Sequence, residues 1–403
     1  MVGSAERQVM PAGGPRVILP GATLGVMGGG QLGAMFAMAA RRMGYRVEAF
    51  SDVADCPAAH HCDRVHVGSY DDPAALVAMA RNIAVMTFEF ENVSAEPLRA
   101  LAEVVPVRPA PDVLSTTQNR GREKAFLVRE GFACAPHRLV RSREELHAAV
   151  AALGLPAVLK TAAFGYDGKG QRKLEAGADA AAIDAAWTGL GGGERGEDGG
   201  RCELILEGWI DFDCEISVVA ARGLDGSTAV FAPTRNHHSH HILDISSAPA
   251  GLPDAVLDSA RGIAAAVLEK LDVVGVACVE FFVTRDGRVL VNEIAPRPHN
   301  SGHLTIEACE ASQFEQQARA ICGLPLGSTR QIAPAAMANL LGDCWKNGEP
   351  DWAAALGVPG VSLLLYGKRE PRPGRKMGHL TALADSVDEA IANVTRARSL
   401  ACR

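Results

Sequence analysis

No apolar run in this 403-residue chain approaches the roughly 20 residues needed to cross a bilayer. Residues 1–20 also lack a continuous hydrophobic signal core, so a cytosolic setting is expected. Basic side chains are not in excess: 40 Lys and Arg face 47 Asp and Glu, and the net charge of −7 argues against a general affinity for nucleic acid. The 10 cysteines contain no CxxC pair, which points to reduced, mostly buried thiols rather than a disulfide framework. Cys56, His60, His61 and Cys62 lie close together, but no second ligand pair with zinc-finger spacing follows them. A Walker A loop, GxxxxGK[ST], is missing as well, and no internal repeat is visible.

What is present describes a globular protein of more than one unit. Hydrophobic residues make up 48% and charged residues 22%, too apolar for disorder, and the length exceeds one ordinary domain. Residues 1–20 read as a mobile leader. Strand, glycine turn, helix and strand follow over 24–50, with another strand at 83–88, the opening of a doubly wound parallel sheet expected to fill 21–118. A second α+β unit is expected over 119–325. Helical patterns lie at 112–130, across its start, and at 144–153, with a lysine-bearing strand at 157–161, further strands at 204–207, 215–221, 228–232, 275–283 and 288–294, and a helix at 254–271. The stretch at 189–200 is too rich in glycine and charge to pack and reads as a surface loop. Beyond residue 326, short Pro/Gly-punctuated segments suggest a small C-terminal subdomain.

Gly28, Gly30 and Gly33 fit GxGxxG after a strand, with Asp52 placed to meet a ribose. Alone, that pattern admits a nicotinamide cofactor, another anion, or no ligand.

The segment 276–300 is more specific. Asp286-Gly287 is a favoured two-residue hairpin turn, so Arg285 should pair with Arg288 and Glu280 should face Glu293. Facing carboxylates repel unless a cation or a shared proton lies between them. Magnesium, with Asn292 as an additional oxygen ligand, is the expected answer. Lys160 lies inside an apolar strand, where its charge needs an anion such as phosphate. Just beyond, Gly165, Gly168 and Gly170 can expose backbone N–H groups to such an anion, with Lys169 adding charge.

With GGGQLG (28–33), TFEFENV (87–93), GYDGKGQ (165–171), NEIAPRPHNSGH (292–303) and GRKMGH (374–379), the chain resembles the ATP-grasp ligases. Among them it is similar to the 5-(carboxyamino)imidazole ribonucleotide synthetases of purine biosynthesis. The resemblance spans about residues 23–381. It implies an ATP-grasp fold with an N-terminal Rossmann-like domain, a lid, and a homodimer. Adenine would lie on Glu207, Gly208, Trp209 and Ile210, with Glu215 at the ribose. Arg120, Lys160, Gly165, Tyr166, Asp167, Gly168, Lys169, Gly170, Gln171 and His238 would follow the nucleotide, and Glu280, Asn292 and Glu293 would hold Mg2+.

The same resemblance implies that ATP phosphorylates bicarbonate to carboxyphosphate and that the exocyclic amine of aminoimidazole ribonucleotide captures the carboxyl group. Tyr166, Asp167, Arg297, His299, Asn300, Lys368 and Arg375 would contact that substrate or carboxyphosphate, with Asp167, Arg297 and His299 catalytic. A formate-dependent ribonucleotide transformylase is the neighbouring alternative. Asn119, His241 and Asp244 depart from the family's usual aspartate, glycine and arginine. His237, His238, His240 and His241 read as a loop with one nucleotide-facing histidine.

Overall fold

A computed structural model describes residues 17–163, 170–193 and 203–402. Most of the expected leader, loop residues 165–169 and part of the 189–200 stretch lie outside the described residues. Ile18, near the end of that leader, is tied down: its N–H donates to Cys322 O at 2.8 Å and its carbonyl accepts from Tyr45 Oη at 2.7 Å.

The N-terminal unit is a four-stranded parallel sheet in the order Arg64–Val67, Arg46–Ser51, Thr23–Met27, Val85–Phe88. Leu24, Val26, Val47, Ala49 and Val85 are buried in it, as the short unbroken apolar strands require. The helix Gln31–Arg42 packs Leu32, Met35, Phe36 and Ala40 against one side, and Leu76, Met79 and Leu98 cover the other.

A second four-stranded sheet, antiparallel, runs in the order His137–Val140, Leu204–Gly208, Ala157–Thr161, Gln171–Leu174. The third sheet is the largest. Its path is Val289–Ala295, Gly275–Thr284, Phe212–Arg222, Thr234–Ser239, Ile242–Ala248, Ala335–Leu341, Lys376–Leu383, Val361–Leu365, with Thr228–Val230 added beside Phe212–Arg222. The helix Asp254–Lys270 buries Ala260, Ala264, Val267 and Leu268 against it. Strands after residue 326 therefore continue the same sheet, and the helix Val387–Ala401 covers them.

Four expectations need correction. The pattern at 112–130 is two helices, Pro111–Thr117 and Arg120–Arg129, because Asn119 is extended and its side chain accepts from Arg122 N. Asn caps a helix as readily as Asp, so this departure costs nothing locally. The helix Ala180–Gly189, capped by Asp179, was not expected. The histidine-rich segment is a β-hairpin rather than a loop, reversed at His240 and His241 with φ of 50° and 64°. The cysteines are not all reduced: Cys344, inside the 3-10 turn Gly342–Trp345, forms a disulfide with Cys402, which caps the last helix.

Candidate active site

The site is built around the hairpin of Gly275–Thr284 and Val289–Ala295. Glu280 does face Glu293, but by a different route from the one expected. Thr284 pairs with Arg288, so the turn holds three residues, Arg285, Asp286 and Gly287, with Gly287 left-handed at φ 81°. That slip alone would move Glu293 off Glu280. A bulge at Asn292, where Phe281 pairs with Val291 and Glu280 with Glu293, restores the alignment.

The bulge is held from outside the sheet. The first turn of Arg120–Arg129 brings Lys124 Nζ to Asn292 O at 2.7 Å and Glu123 Oε1 to Ile294 N at 2.6 Å. Both side chains are essentially unexposed, so the backbone groups a bulge frees from the ladder are satisfied by buried polar side chains. Arg120, on the same turn, donates from Nη2 to Glu293 Oε2 at 3.0 Å. Burial pushes the Glu123 carboxyl up to about 8, against the pull of Lys124 and Arg120.

Each facing carboxylate has its own cation, which corrects the expectation that a metal alone makes their proximity tolerable. Glu293 has Arg120, and Glu280 Oε1 lies 2.9 Å from His299 Nε2. Burial opposes ionisation of both Glu280 and His299, but their attraction prevails. The carboxyl is held down to about 2 and the imidazole raised to about 10, with Cys278 also favouring the imidazolium. Asn292 Oδ1 is buried with no hydrogen-bond partner among the described residues. Two carboxylates and an orphaned amide oxygen on one bulge suit a hard divalent cation.

Lys160 likewise finds a protein anion rather than standing uncompensated. Its Nζ meets Glu207 Oε2 at 2.5 Å, and Lys124 lies 3.8 Å from the other oxygen. Burial resists the charge on Glu207, yet Lys160, Lys124 and Arg120 together hold it down to about 2. Gly208, Trp209 and Ile210 follow directly; Trp209 is 44% exposed, with Lys173 Nζ 4.3 Å from its ring centre.

Strand alternation places Glu215 and Ser217 opposite the core-facing Ile216 and Val218. Glu215 Oε2 lies 2.7 Å from His238 Nδ1. Both line a cavity of about 400 Å³ with Phe212, Asp213, Cys214, Arg235, Asn236 and His237. Burial lowers the His238 imidazole, but Glu215 reverses this and the net direction is up. Gln171 reaches from the second sheet to within 3.5 Å of His241 Nδ1, while Gly170 bends at φ 77°. Gly165, Tyr166, Asp167, Gly168 and Lys169 lie outside the described residues.

Beyond the hairpin, Arg297 Nη2 pairs with Glu91 Oε1 at 2.9 Å, and the Asn300 amide exchanges hydrogen bonds with Asn339. Lys368 Nζ donates to Lys376 O at 2.7 Å, and Arg375 Nη1 donates to Glu370 O at 3.0 Å. Asp244 is bound by both terminal nitrogens of Arg398, so a cation from the last helix meets the acidic departure.

The glycine turn needs no dinucleotide. Glu89 fills its anion position: Gly30 N donates to Oε1, and Gly33 N to Oε2 at 2.5 Å. A Cβ at Gly28 would sit 2.2 Å from the Glu89 side chain, which explains glycine there. Glu89 and Glu91 lie inside the 87–93 motif, whereas no sequence motif marks Glu123, Lys124 or Asn339. Glu123 and Lys124 did leave a signal: they share the helix face of Phe126 and Leu127, where a purely apolar stripe would be usual.

Fold and site define an ATP-grasp protein. Residues 125–314 match the ATP-grasp domain, 21–118 the ribonucleotide synthetase preATP-grasp domain, and 335–393 the phosphoribosylaminoimidazole carboxylase C-terminal domain. The chain is 44% identical over 364 residues to N5-carboxyaminoimidazole ribonucleotide synthase of Brucella melitensis, covering 90% of this chain and 97% of the relative. To the Bacillus subtilis protein of the same name it is 40% identical over 380 residues, covering 94% and 96%. A crystal structure of N5-carboxyaminoimidazole synthase from Aspergillus clavatus, in complex with ADP and 5-aminoimidazole ribonucleotide, aligns with a TM-score of 0.82 at 30% identity, covering 94% and 98%. The chain belongs to the N5-carboxyaminoimidazole ribonucleotide synthase family of ATP-dependent ligases.

Proposed function

We propose that this chain joins bicarbonate to the exocyclic amine of 5-aminoimidazole ribonucleotide at the expense of ATP, in purine biosynthesis. The observation that carries the proposal is the bulged hairpin, where Glu280, Asn292 and Glu293 converge within reach of Arg120 and His299. Relatives across nearly the whole chain bear that activity's name, and the Aspergillus clavatus protein holds ADP and the ribonucleotide together.

In this reading adenine rests on the strand end Glu207, Gly208, Trp209 and Ile210. The Glu207 carboxylate is committed to Lys160, so the backbone is what meets the base. Glu215, poised by His238, takes the ribose hydroxyls. Arg120 and Lys160 are assigned to the phosphates, and so are residues 165–171, whose glycine N–H groups suit an anion. Glu280, Asn292 and Glu293 would hold Mg2+, which when bound neutralises charge on the phosphate oxygens.

Bicarbonate attacks the γ-phosphorus and ADP leaves; the amine then captures the carboxyl group of carboxyphosphate, with release of phosphate and of an amine proton. Arg297 and His299 follow the metal strand at once, so their cationic groups face oxyanions on the transferred carboxylate. Tyr166 and Asp167 are assigned to the imidazole, Lys368 and Arg375 to carboxyphosphate or the ribose phosphate, and Asn300 to the transferred group. A homodimer and a cytoplasmic setting belong to the same reading.

ADP release measured with substrates omitted singly tests it. Release should require both bicarbonate and aminoimidazole ribonucleotide. Equal turnover with formate in place of bicarbonate would overturn the assignment in favour of a transformylase.

A further inference from the structure

His299 is held at two levels. Its ring lies between Glu280 Oε1, 2.9 Å from Nε2, and Ser301 Oγ, 2.9 Å from Nδ1. Its peptide is gripped by one side chain. Gln313 Oε1 accepts from His299 N at 2.8 Å, and Gln313 Nε2 donates to His299 O at 2.8 Å.

Gln313 opens the helix Gln313–Cys322 and has no solvent exposure. A buried amide is costly unless both of its ends are used, so an apolar residue would serve packing alone better. Here the amide serves the site loop. Its second Nε2 hydrogen meets His303 Nδ1 at 3.1 Å, and the backbone N–H of Gln313 donates to Thr305 Oγ1 at 3.0 Å. Rotating the amide by half a turn would set NH2 against the His299 N–H and carbonyl against carbonyl. Only one orientation works, and it requires a lone pair on His303 Nδ1. Burial keeps the ring neutral, lowering the His303 imidazole well below its ordinary range with His379 and His299 adding to the effect, and the 3.1 Å contact with Gln313 Nε2 then selects the tautomer with its proton on Nε2. Glycine at 302 makes the space: a Cβ there would stand 2.7 Å from Gln313 Oε1.

We propose that Gln313 is a positioning residue for carboxyl transfer, fixing the peptide of His299 so that its imidazole stays between Glu280 and Ser301, with His303 locking the orientation of the amide. This rests on the placement of His299 at the transferred carboxyl group in the reading above.

The test compares full-length wild type, Gln313→Glu, His299→Ala and the double variant by ADP release, with thermal unfolding as the folding control. Glutamate is isosteric and keeps the acceptor for His299 N–H, but loses both donations. Expected is a fall in kcat of roughly ten- to a hundredfold with the KM for ATP within about twofold, and no further fall when the change is made in His299→Ala. Should Gln313→Glu not fold, Gln313→Met, apolar and of similar length, carries the same comparison. Wild-type turnover in the Gln313 variant while His299→Ala is impaired would overturn the positioning role and leave the reading of His299 intact. An equal loss in both backgrounds would also overturn it, because Gln313 would then act independently of His299. Full turnover in His299→Ala would instead remove the reading itself, and this proposal with it.

Discussion

Lys124 Nζ donates to the carbonyl of Asn292 at 2.7 Å, across 168 positions of sequence, and so stabilises the bulge that returns Glu293 to Glu280. The ammonium is fully buried and lies 3.8 Å from Glu207. Replacing it by methionine keeps most of the volume but leaves a buried carbonyl and a buried carboxylate short of a partner. Lys124→Met is expected to destabilise the protein by about 3 kcal/mol, read by urea unfolding, and to abolish ADP release even where the protein remains folded.

The route to that bulge explains what could be read in the sequence and what could not. Asp286-Gly287 signals a reversal, and the reversal is there. The extra turn residue depends on Asp286 accepting from Thr284 Oγ1 and Arg288 Nε, and the compensating bulge depends on Glu123 and Lys124 far away. Local pattern carries no register information of that range. The facing of Glu280 and Glu293 was thus expected correctly from a turn length that was wrong by one, the two slips cancelling. The parallel sheet was readable because its strands are short apolar runs behind a glycine turn. The Thr234–Ser239 and Ile242–Ala248 hairpin was not, since histidine is a poor signal for the left-handed turn positions that His240 and His241 occupy. Gln313 and Asn339 could not be found from pattern either, because a buried amide looks like any surface amide until its partners are known.

Glu293→Gln removes one charge from the proposed metal site and weakens the pairing with Arg120, while Glu280 loses a repulsive neighbour. Because the Glu293 side chain is 37% exposed, the pair contributes little to folding, and a change below about 1 kcal/mol is expected in stability. Turnover should fall by at least about a hundredfold, with the residual rate shifted to higher magnesium concentration. Steady-state ADP release titrated with magnesium checks this; an unshifted titration at normal rate would exclude Glu293 as a ligand.

The Glu280–His299 pair predicts a defined pH window. His299 is raised from 6.5 to about 10, so its contribution is complete below about pH 6.5 and is lost as pH rises through 10. Glu280 is lowered from 4.5 to about 2, so its contribution is complete above about pH 4.5 and is lost as pH falls toward 2. The advantage of wild type over His299→Asn in thermal unfolding should therefore be greatest between pH 4.5 and 6.5 and shrink on either side. A difference that did not vary with pH would mean that the pair is not ionic.

Reduction of Cys344–Cys402 should loosen the C-terminal helix. The bridge closes a loop of 58 residues, for which chain entropy gives about 4 kcal/mol. Thermal unfolding with and without a thiol reductant is expected to show a drop in Tm for wild type and none for Cys402→Ser. Identical drops in both proteins would show that the reductant acts elsewhere.

Arg375 lies in the loop before the strand Lys376–Leu383, fixed through its backbone: its carbonyl accepts from Gly342 N at 2.8 Å, and the preceding Gly374 takes a φ of 74°. Its guanidinium donates to Glu370 O from Nη1, which leaves other donors of the planar fork for an oxyanion. Arg375→Ala is expected to weaken binding of aminoimidazole ribonucleotide by about 1.5 to 3 kcal/mol, roughly ten- to a hundredfold in Kd, with ATP affinity unchanged. Arg375→Lys keeps the charge but not the fork, so it should recover part of the loss and not all of it. Calorimetric titration of the ribonucleotide into each variant in the presence of ADP separates these outcomes. Equal affinity in all three proteins would place the substrate phosphate away from this loop.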